Sequence, residues 1–222
     1  MKIKKLLQRY KHAWVLLYAF IYMPWFLWLE KTVTKEFYVI HSPLDDYIPF
    51  IEYFVVPYLL WFIFIAVTLG YLFFRDTQGF YKLTLFLFSG MTIFLIISTI
   101  FPNGLDLRPD TFARDNIFVD MVKQLYKSDT PTNVLPSIHV YNSIGTYLGI
   151  MYNQKLSQIK WVRYGSLLLT ISIILATMFL KQHSIIDVVA AFAMGTLMYI
   201  LVYSREPKTA RQPSQQPVFF KP

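Results

Sequence analysis

Two of the four histidines in the 222-residue sequence, His139 and His183, sit in settings that could do chemistry. His183 and Asp187 are spaced i, i+4, which puts both on one face of a helix beginning near Ser184. A carboxylate there can accept a hydrogen bond from one imidazole nitrogen, fix the tautomer and leave the other nitrogen as a nucleophile. The same spacing also suits a buried aspartate with a structural histidine partner, since an acid at the entrance of an apolar run needs a partner in either case. Pro136-Ser137-Ile138-His139 marks the mouth of another helix. Proline suits a first helical turn, and Ser137 would present its hydroxyl beside unpaired backbone N–H groups, a ready anion site. His139 is then within reach as a proton donor for a leaving alkoxide, or is simply an interfacial histidine. Arg108, in Leu107-Arg108-Pro109, is of the type that grips phosphate oxygens bidentately, although a lone loop arginine is ordinary. Lys181 is the remaining cation near the mouth, or a snorkelling residue that ends its helix. His41 with Asp45 and Asp46 has metal-ligand types but no further ligand, and reads as a solvated loop.

The elements that must hold these residues follow from hydropathy. The chain is 55% hydrophobic and only 15% charged, too apolar for an ordinary soluble domain. It has no cysteine, which excludes disulfides, a thiol nucleophile and thiolate metal sites. Six segments predict an all-α transmembrane bundle, at about residues 13–29, 53–74, 83–101, 138–154, 164–181 and 184–203. The first has no small-x-small cleavage site after Leu29 and reads as an anchor. One catalytic domain is expected over 1–203. Met1–His12 reads as a basic helix lying on the inner membrane surface, and 204–222 as a disordered cytoplasmic tail.

Orientation comes from counting charge. With the amino terminus inside, one side holds 14 of the 21 basic residues, from Lys2 to Lys221, against only Asp76 and Glu206. The net charge of +8 is therefore an orientation signal and a surface for anionic lipid, not a nucleic-acid footprint. Both termini are expected in the cytoplasm. All three motif clusters then fall on the extracytoplasmic face of a multi-pass protein, expected in the cell membrane. Arg114–Ser128, with Phe118, Met121, Val122 and Leu125 at helical spacing, predicts an amphipathic helix at that outer interface, either roofing the site or simply packed there.

The clusters resemble the three-part signature of the type 2 phosphatidic acid phosphatase superfamily, Lys-x6-Arg-Pro, Pro-Ser-Gly-His and Ser-Arg-x5-His-x3-Asp. Arg108-Pro109, Pro136-Ser137-x-His139 and His183-x3-Asp187 match in order, over about Phe101 to Asp187. The resemblance implies that His183 is the nucleophile that forms a phosphohistidine, oriented by Asp187, and that His139 protonates the leaving group. It also implies phosphate binding by Arg108, Ser137 and the backbone N–H of Ile138, with no metal or other cofactor; Lys181, or Lys123 and Lys127 from the loop, is the substitute for the missing cations. The pattern departs at three places. Phe101 stands at the family lysine, Ala176-Thr177 at the Ser-Arg pair and Ile138 at the glycine. The activity implied is hydrolysis of a membrane lipid phosphate or pyrophosphate, such as phosphatidic acid, phosphatidylglycerol phosphate or a polyprenyl pyrophosphate. The missing cations make the chain similar also to inositol phosphorylceramide and sphingomyelin synthases, which transfer a headgroup between lipids. A catalytically inactive membrane protein or transporter is the third alternative, against which the intact His139, His183 and Asp187 argue.

Overall fold

The computed structural model describes residue 8 and residues 10–204. Among the described residues the regular structure is helical apart from two very short strands. A 3₁₀ stretch, Lys11–Tyr18, runs into α1 (Ala19–Thr32), followed by α2 (Val55–Arg75), α3 (Thr77–Ile100), α4 (Ile117–Ser128), α5 (Ile138–Tyr152), α6 (Lys160–Phe179) and α7 (Ile185–Val202). Two residues of extended chain, β1 (Tyr38–Val39) and β2 (Asn103–Gly104), pair in parallel with Tyr38 opposite Asn103.

Among the described residues, five helical stretches are long and apolar enough to cross a membrane: Lys11–Thr32, Glu52–Arg75, Thr77–Ile100, Lys160–Phe179 and Ile185–Val202. The chain is thus an integral membrane protein by its helices. The expected sixth span, α5, has only 15 residues. At a rise of about 1.5 Å per residue that is roughly 22 Å, short of a ~30 Å hydrocarbon core. Its place explains its length. α5 is the hub of the bundle, packed against α2, α3, α6 and α7, and nine of its residues are buried. It carries Asn142, Ser143 and Thr146, all buried, with the Ser143 and Thr146 hydroxyls donating to the His139 and Asn142 carbonyls.

Close packing around the hub depends on two glycines. A Cβ at Gly90 would collide with the Tyr141 ring, and one at Gly145 with the Phe86 ring. Without side chains there, α3 and α5 approach closely. Phe86 and Tyr141 then stack at 4.7 Å, and the Tyr141 hydroxyl donates to the Phe86 carbonyl at 2.7 Å.

Several boundaries differ from the hydropathy reading. α3 begins at Thr77 and not near Leu83, because Asp76 caps it by accepting from the Gly79 N–H at 2.9 Å. Lys82 is thereby inside the helix, whereas a charge-free window stops short of it. Of the basic segment Met1–His12, only Gln8 and Tyr10–His12 are described, and His12 is buried, its Nε2 3.0 Å from the Phe73 carbonyl. The tail expected over 204–222 lies outside the described residues except for Ser204.

The loop at His41–Asp46 also needs correcting. His41 and Asp46 do pair in the open at 2.9 Å, but Asp45 is 1% exposed and not solvated. No group of three or more metal-ligating side chains occurs there or elsewhere among the described residues. Asp45 instead ties this early loop to the start of the last helix.

Candidate active site

α6 ends at Phe179, and the chain reverses through Lys181, which takes a left-handed backbone with φ 52°. The N–H groups of Gln182 and His183 both donate to the Thr177 carbonyl, at 2.9 and 3.0 Å. α7 then starts with a capping box: the Ser184 side chain accepts from the first turn, and Asp187 Oδ2 accepts from the Ser184 N–H at 2.9 Å. A second carboxylate caps the same end from outside. Asp45 accepts from the Ile185 N–H at 2.9 Å and from the Ser184 hydroxyl at 2.6 Å. His183 is therefore held at a doubly capped helix start, with its Nδ1 3.4 Å from Asp187 Oδ2. Asp187 is fully buried, so the oxygen that faces the imidazole also holds the helix end.

His139 comes from the first turn of α5. Its approach is fixed by Asn103, a fully buried side chain whose Oδ1 accepts from the N–H groups of Val134 and Leu135, both at 2.9 Å. Ser137 is the N-cap of α5, its hydroxyl accepting from the Val140 N–H at 3.3 Å. The Ser137 N–H donates to the Asp187 carbonyl at 3.2 Å, which joins the starts of the two histidine-bearing helices. The His139 ring lies between Tyr58 and Trp61 of α2, each with its centroid 4.5 Å away. The two imidazoles come together with centroids 5.7 Å apart.

Both histidines line a cavity of about 470 Å³. One end is polar, with Glu30, Asp129, Thr130, Asn133 and Gln182 beside the imidazoles. The other runs between α1, α2 and α3 along Met23, Phe26, Leu59, Phe62, Met91 and Phe94. α4 forms within the predicted segment and contributes Leu125 and Ser128 to the lining. An arrangement of two imidazoles at the polar end of an apolar slot suits a reaction at the head of an amphipathic molecule.

The other candidates are placed less directly. Ile138 lines the cavity, whereas Ser137 is fully buried and turned into its own helix. Lys181 is directed away, its ammonium donating to the Asp45 carbonyl at 2.8 Å. Burial lowers its pKa, with Asp45 and Asp46 opposing the shift. Arg108 does not line the cavity either. Its guanidinium lies over the Tyr126 ring at 4.4 Å, donates to the Tyr126 carbonyl at 3.2 Å and donates to Gln182 Oε1 at 2.6 Å. Burial lowers the Arg108 pKa, and the neighbouring Asp129 carboxylate is the largest opposing influence.

Gln182 is the residue that motif reading misses. Its Oε1 is committed to Arg108, which settles which way the amide points. Its Nε2 is left buried and without a hydrogen-bond partner among the described residues, on a side chain that lines the cavity next to His183. The only signal in the sequence was its position beside that histidine. Asp129 and Glu30 gave none, because their neighbours are remote in sequence. Asp129 accepts from the Tyr58 hydroxyl at 3.0 Å, and Glu30 from Thr130 and Asn133 at 2.5 and 2.9 Å. Burial raises the Asp129 pKa above the ordinary 3.8, opposed by the Tyr58 hydrogen bond and the charges of Arg108 and His183.

Residues 83–211 match the family model described as the PAP2 superfamily. The matched stretch runs from within α3 past the end of α7 and includes both histidines. No curated protein and no solved structure matches the chain.

Proposed function

The chain belongs to the PAP2 superfamily, matched over more than half its length, and on that premise we propose that it is a membrane enzyme cleaving lipid phosphate esters through a phosphohistidine at His183. The family carries a phosphatase or phosphotransferase type of activity on phosphate esters. The observation that supports the finer reading is the pairing of His139 and His183, 5.7 Å apart, at the polar end of an apolar slot between helices. In this reading α5 completes a six-helix bundle with both termini cytoplasmic, and the slot opens to the extracytoplasmic half of the bilayer.

With Nδ1 turned to Asp187, His183 has Nε2 free to attack phosphorus. The bond to the ester oxygen breaks as the N–P bond forms, and His139 gives that oxygen its proton. Water, deprotonated by His139, then cleaves the N–P bond and frees the phosphate product. Gln182 donates to a phosphoryl oxygen, and Arg108 acts through it by polarising the amide. Asp187 positions His183 and stabilises the charge that it gains.

One observation favours transfer to an alcohol as a second reading. Among the described residues no lysine or arginine lines the cavity, so protein cations that would favour the charge of a phosphate monoester are absent from its lining. One experiment separates the two. Detergent-purified protein is given a panel of phosphorus-labelled lipids, with and without an added lipid alcohol, and His183→Ala serves as control. Release of water-soluble phosphorus that the variant lacks supports hydrolysis, and label moving to the added alcohol supports transfer. Equal activity in protein and variant would remove His183 as nucleophile.

A further inference from the structure

A second opening shares no lining residue with the histidine cavity. It is a groove of about 390 Å³ between α2 and α6, with Phe64, Val67 and Tyr71 on one helix and Val162, Gly165 and Leu169 on the other. Gly165 makes room for it, since nothing lies within 4 Å of where its Cβ would be. A further hollow of about 410 Å³ continues along the same two helices and shares Leu60, Gly165 and Leu169. The walls are apolar, but Thr68 and Ser166, both buried, add hydroxyls to the lining. The 20-residue α6, about 30 Å long, separates the mouth of the groove from the turn that carries His183.

The mouth is aromatic and basic. Trp161 borders it and is 78% exposed, and Tyr164 beside it is 61% exposed. Such rings settle at head-group level in a bilayer. Lys155, Lys160 and Arg163 adjoin the lining residues Leu156, Trp161 and Val162 in sequence, and Arg75 follows Tyr71 by one turn on the same face of α2. None of these four cations forms an ion pair among the described residues. Asp76 is the one carboxylate at this end among the described residues, and the fold already uses it. It accepts from the Gly79 N–H at 2.9 Å and from the Asn153 amide at 2.8 Å. The groove therefore has apolar walls and an uncompensated positive rim.

We infer that the α2–α6 groove is a binding site for an anionic phospholipid of the leaflet opposite the histidines. An acyl chain follows the apolar walls, and the phosphate sits among Arg75, Lys155, Lys160 and Arg163. Thr68 and Ser166 give the ester region of such a lipid polar neighbours. Cations at the membrane surface favour anionic lipid, whereas a zwitterionic lipid brings its own ammonium toward the same four charges. The site does not depend on the chemistry at His183. It does touch both helices that hold the histidines: Tyr58 and Trp61 of α2 pack on the His139 ring, and the Thr177 carbonyl of α6 accepts from the His183 N–H. A lipid seated there fastens these two helices to each other and stabilises the folded bundle.

The test mixes the full chain in detergent, carrying His183→Ala to exclude turnover, with equal amounts of phosphatidylglycerol and phosphatidylcholine of the same chain length. Bound lipid is read by native mass spectrometry and stability by thermal unfolding. Phosphatidylglycerol is expected to be retained about tenfold over phosphatidylcholine and to raise the melting temperature further, with the preference shrinking at high salt. Lys160→Gln combined with Arg163→Gln is expected to remove most of that preference. Gly165→Leu, placed where a Cβ has open space, is expected to lower retention of both lipids. If the double variant does not fold, Lys155→Gln gives the same reading on a smaller scale. Equal retention of the two lipids by the parent protein would overturn the inference. So would a preference that the rim and groove variants all leave intact, since it would then belong to another surface. A dimer that Gly165→Leu dissolves, with no lipid retained, would make the groove an interface between copies and overturn it as well.

Discussion

The first membrane helix and the hub helix are built in opposite ways. Only 11% of the most apolar stretch of Lys11–Thr32 is buried, against 44% for α3, and its exposed face carries Trp14, Phe20 and Ile21. α5 is shorter, more polar and enclosed by four other helices. The first helix is held by a few polar stitches: Tyr18 to Thr92 at 2.8 Å, Trp25 to Thr99 at 3.0 Å, and Glu30 to the loop before α5. Yet both line the same cavity, Met23 and Phe26 on one side and Ile138 and His139 on the other. The difference teaches that the two histidines belong to the wall enclosed by helices, while the wall beside the apolar slot leaves most of its outer face exposed. Under the proposed function a lipid substrate uses both, a fixed point of attack and an open side for its chains.

Substitutions that break the tied side should cost most. His183→Ala is expected to lower turnover by roughly a thousandfold or more, with the fold intact by thermal unfolding in detergent. Gly90→Leu forces a side chain into the Tyr141 ring. It should cost about 3 kcal/mol or prevent assembly, read as loss of a monodisperse elution peak. Asp45→Ala removes the outer cap of α7 and should cost about 2 kcal/mol. Because His183 sits one residue before that cap, kcat should fall more than KM rises.

A smaller effect is expected from pH. Burial raises the Asp129 pKa, so the folded state holds this proton where the unfolded chain has lost it. The contribution to stability is full below the ordinary 3.8 and is lost as pH rises through the raised folded value. Asp129→Asn should therefore flatten the stability profile across that window, gaining at neutral pH relative to acid. On the lightly held side, Tyr18→Phe removes one stitch and should cost about 1 kcal/mol or less, with little change in turnover. A loss comparable to that of Asp45→Ala would erase the contrast between the two sides.

What was legible in the sequence is what depends on near neighbours. His183 and Asp187 are one helical turn apart, and the Pro136-Ser137 start of α5 has its cap in the adjacent turn, so type and spacing sufficed to single them out. Long apolar runs gave the membrane helices, though Lys82 hid the start of α3. The chemistry of the cavity wall was not legible, because it is made by contacts across the chain. Gln182 acquires its orientation from Arg108, which is 74 residues away, and Glu30 meets Asn133 across 103 residues. Ser137 and Lys181 show the converse. Their types suited phosphate, but the hydroxyl is used by its own helix and the ammonium by the Asp45 carbonyl.

The Asp45 link has a consequence for how the molecule is made. It joins positions 140 residues apart, the loop before the second helix and the first turn of the last. During synthesis that loop emerges early, and its carboxylate must wait for nearly the whole chain before Ile185 and Ser184 arrive. The last described helix therefore docks onto a carboxylate that also accepts from the Ser42 N–H of its own loop. A chain halted before that point would lack the Ile185 and Ser184 donors and leave the Asp45 carboxylate with only the Ser42 N–H of its own loop among these partners, a mark by which unfinished molecules differ from finished ones.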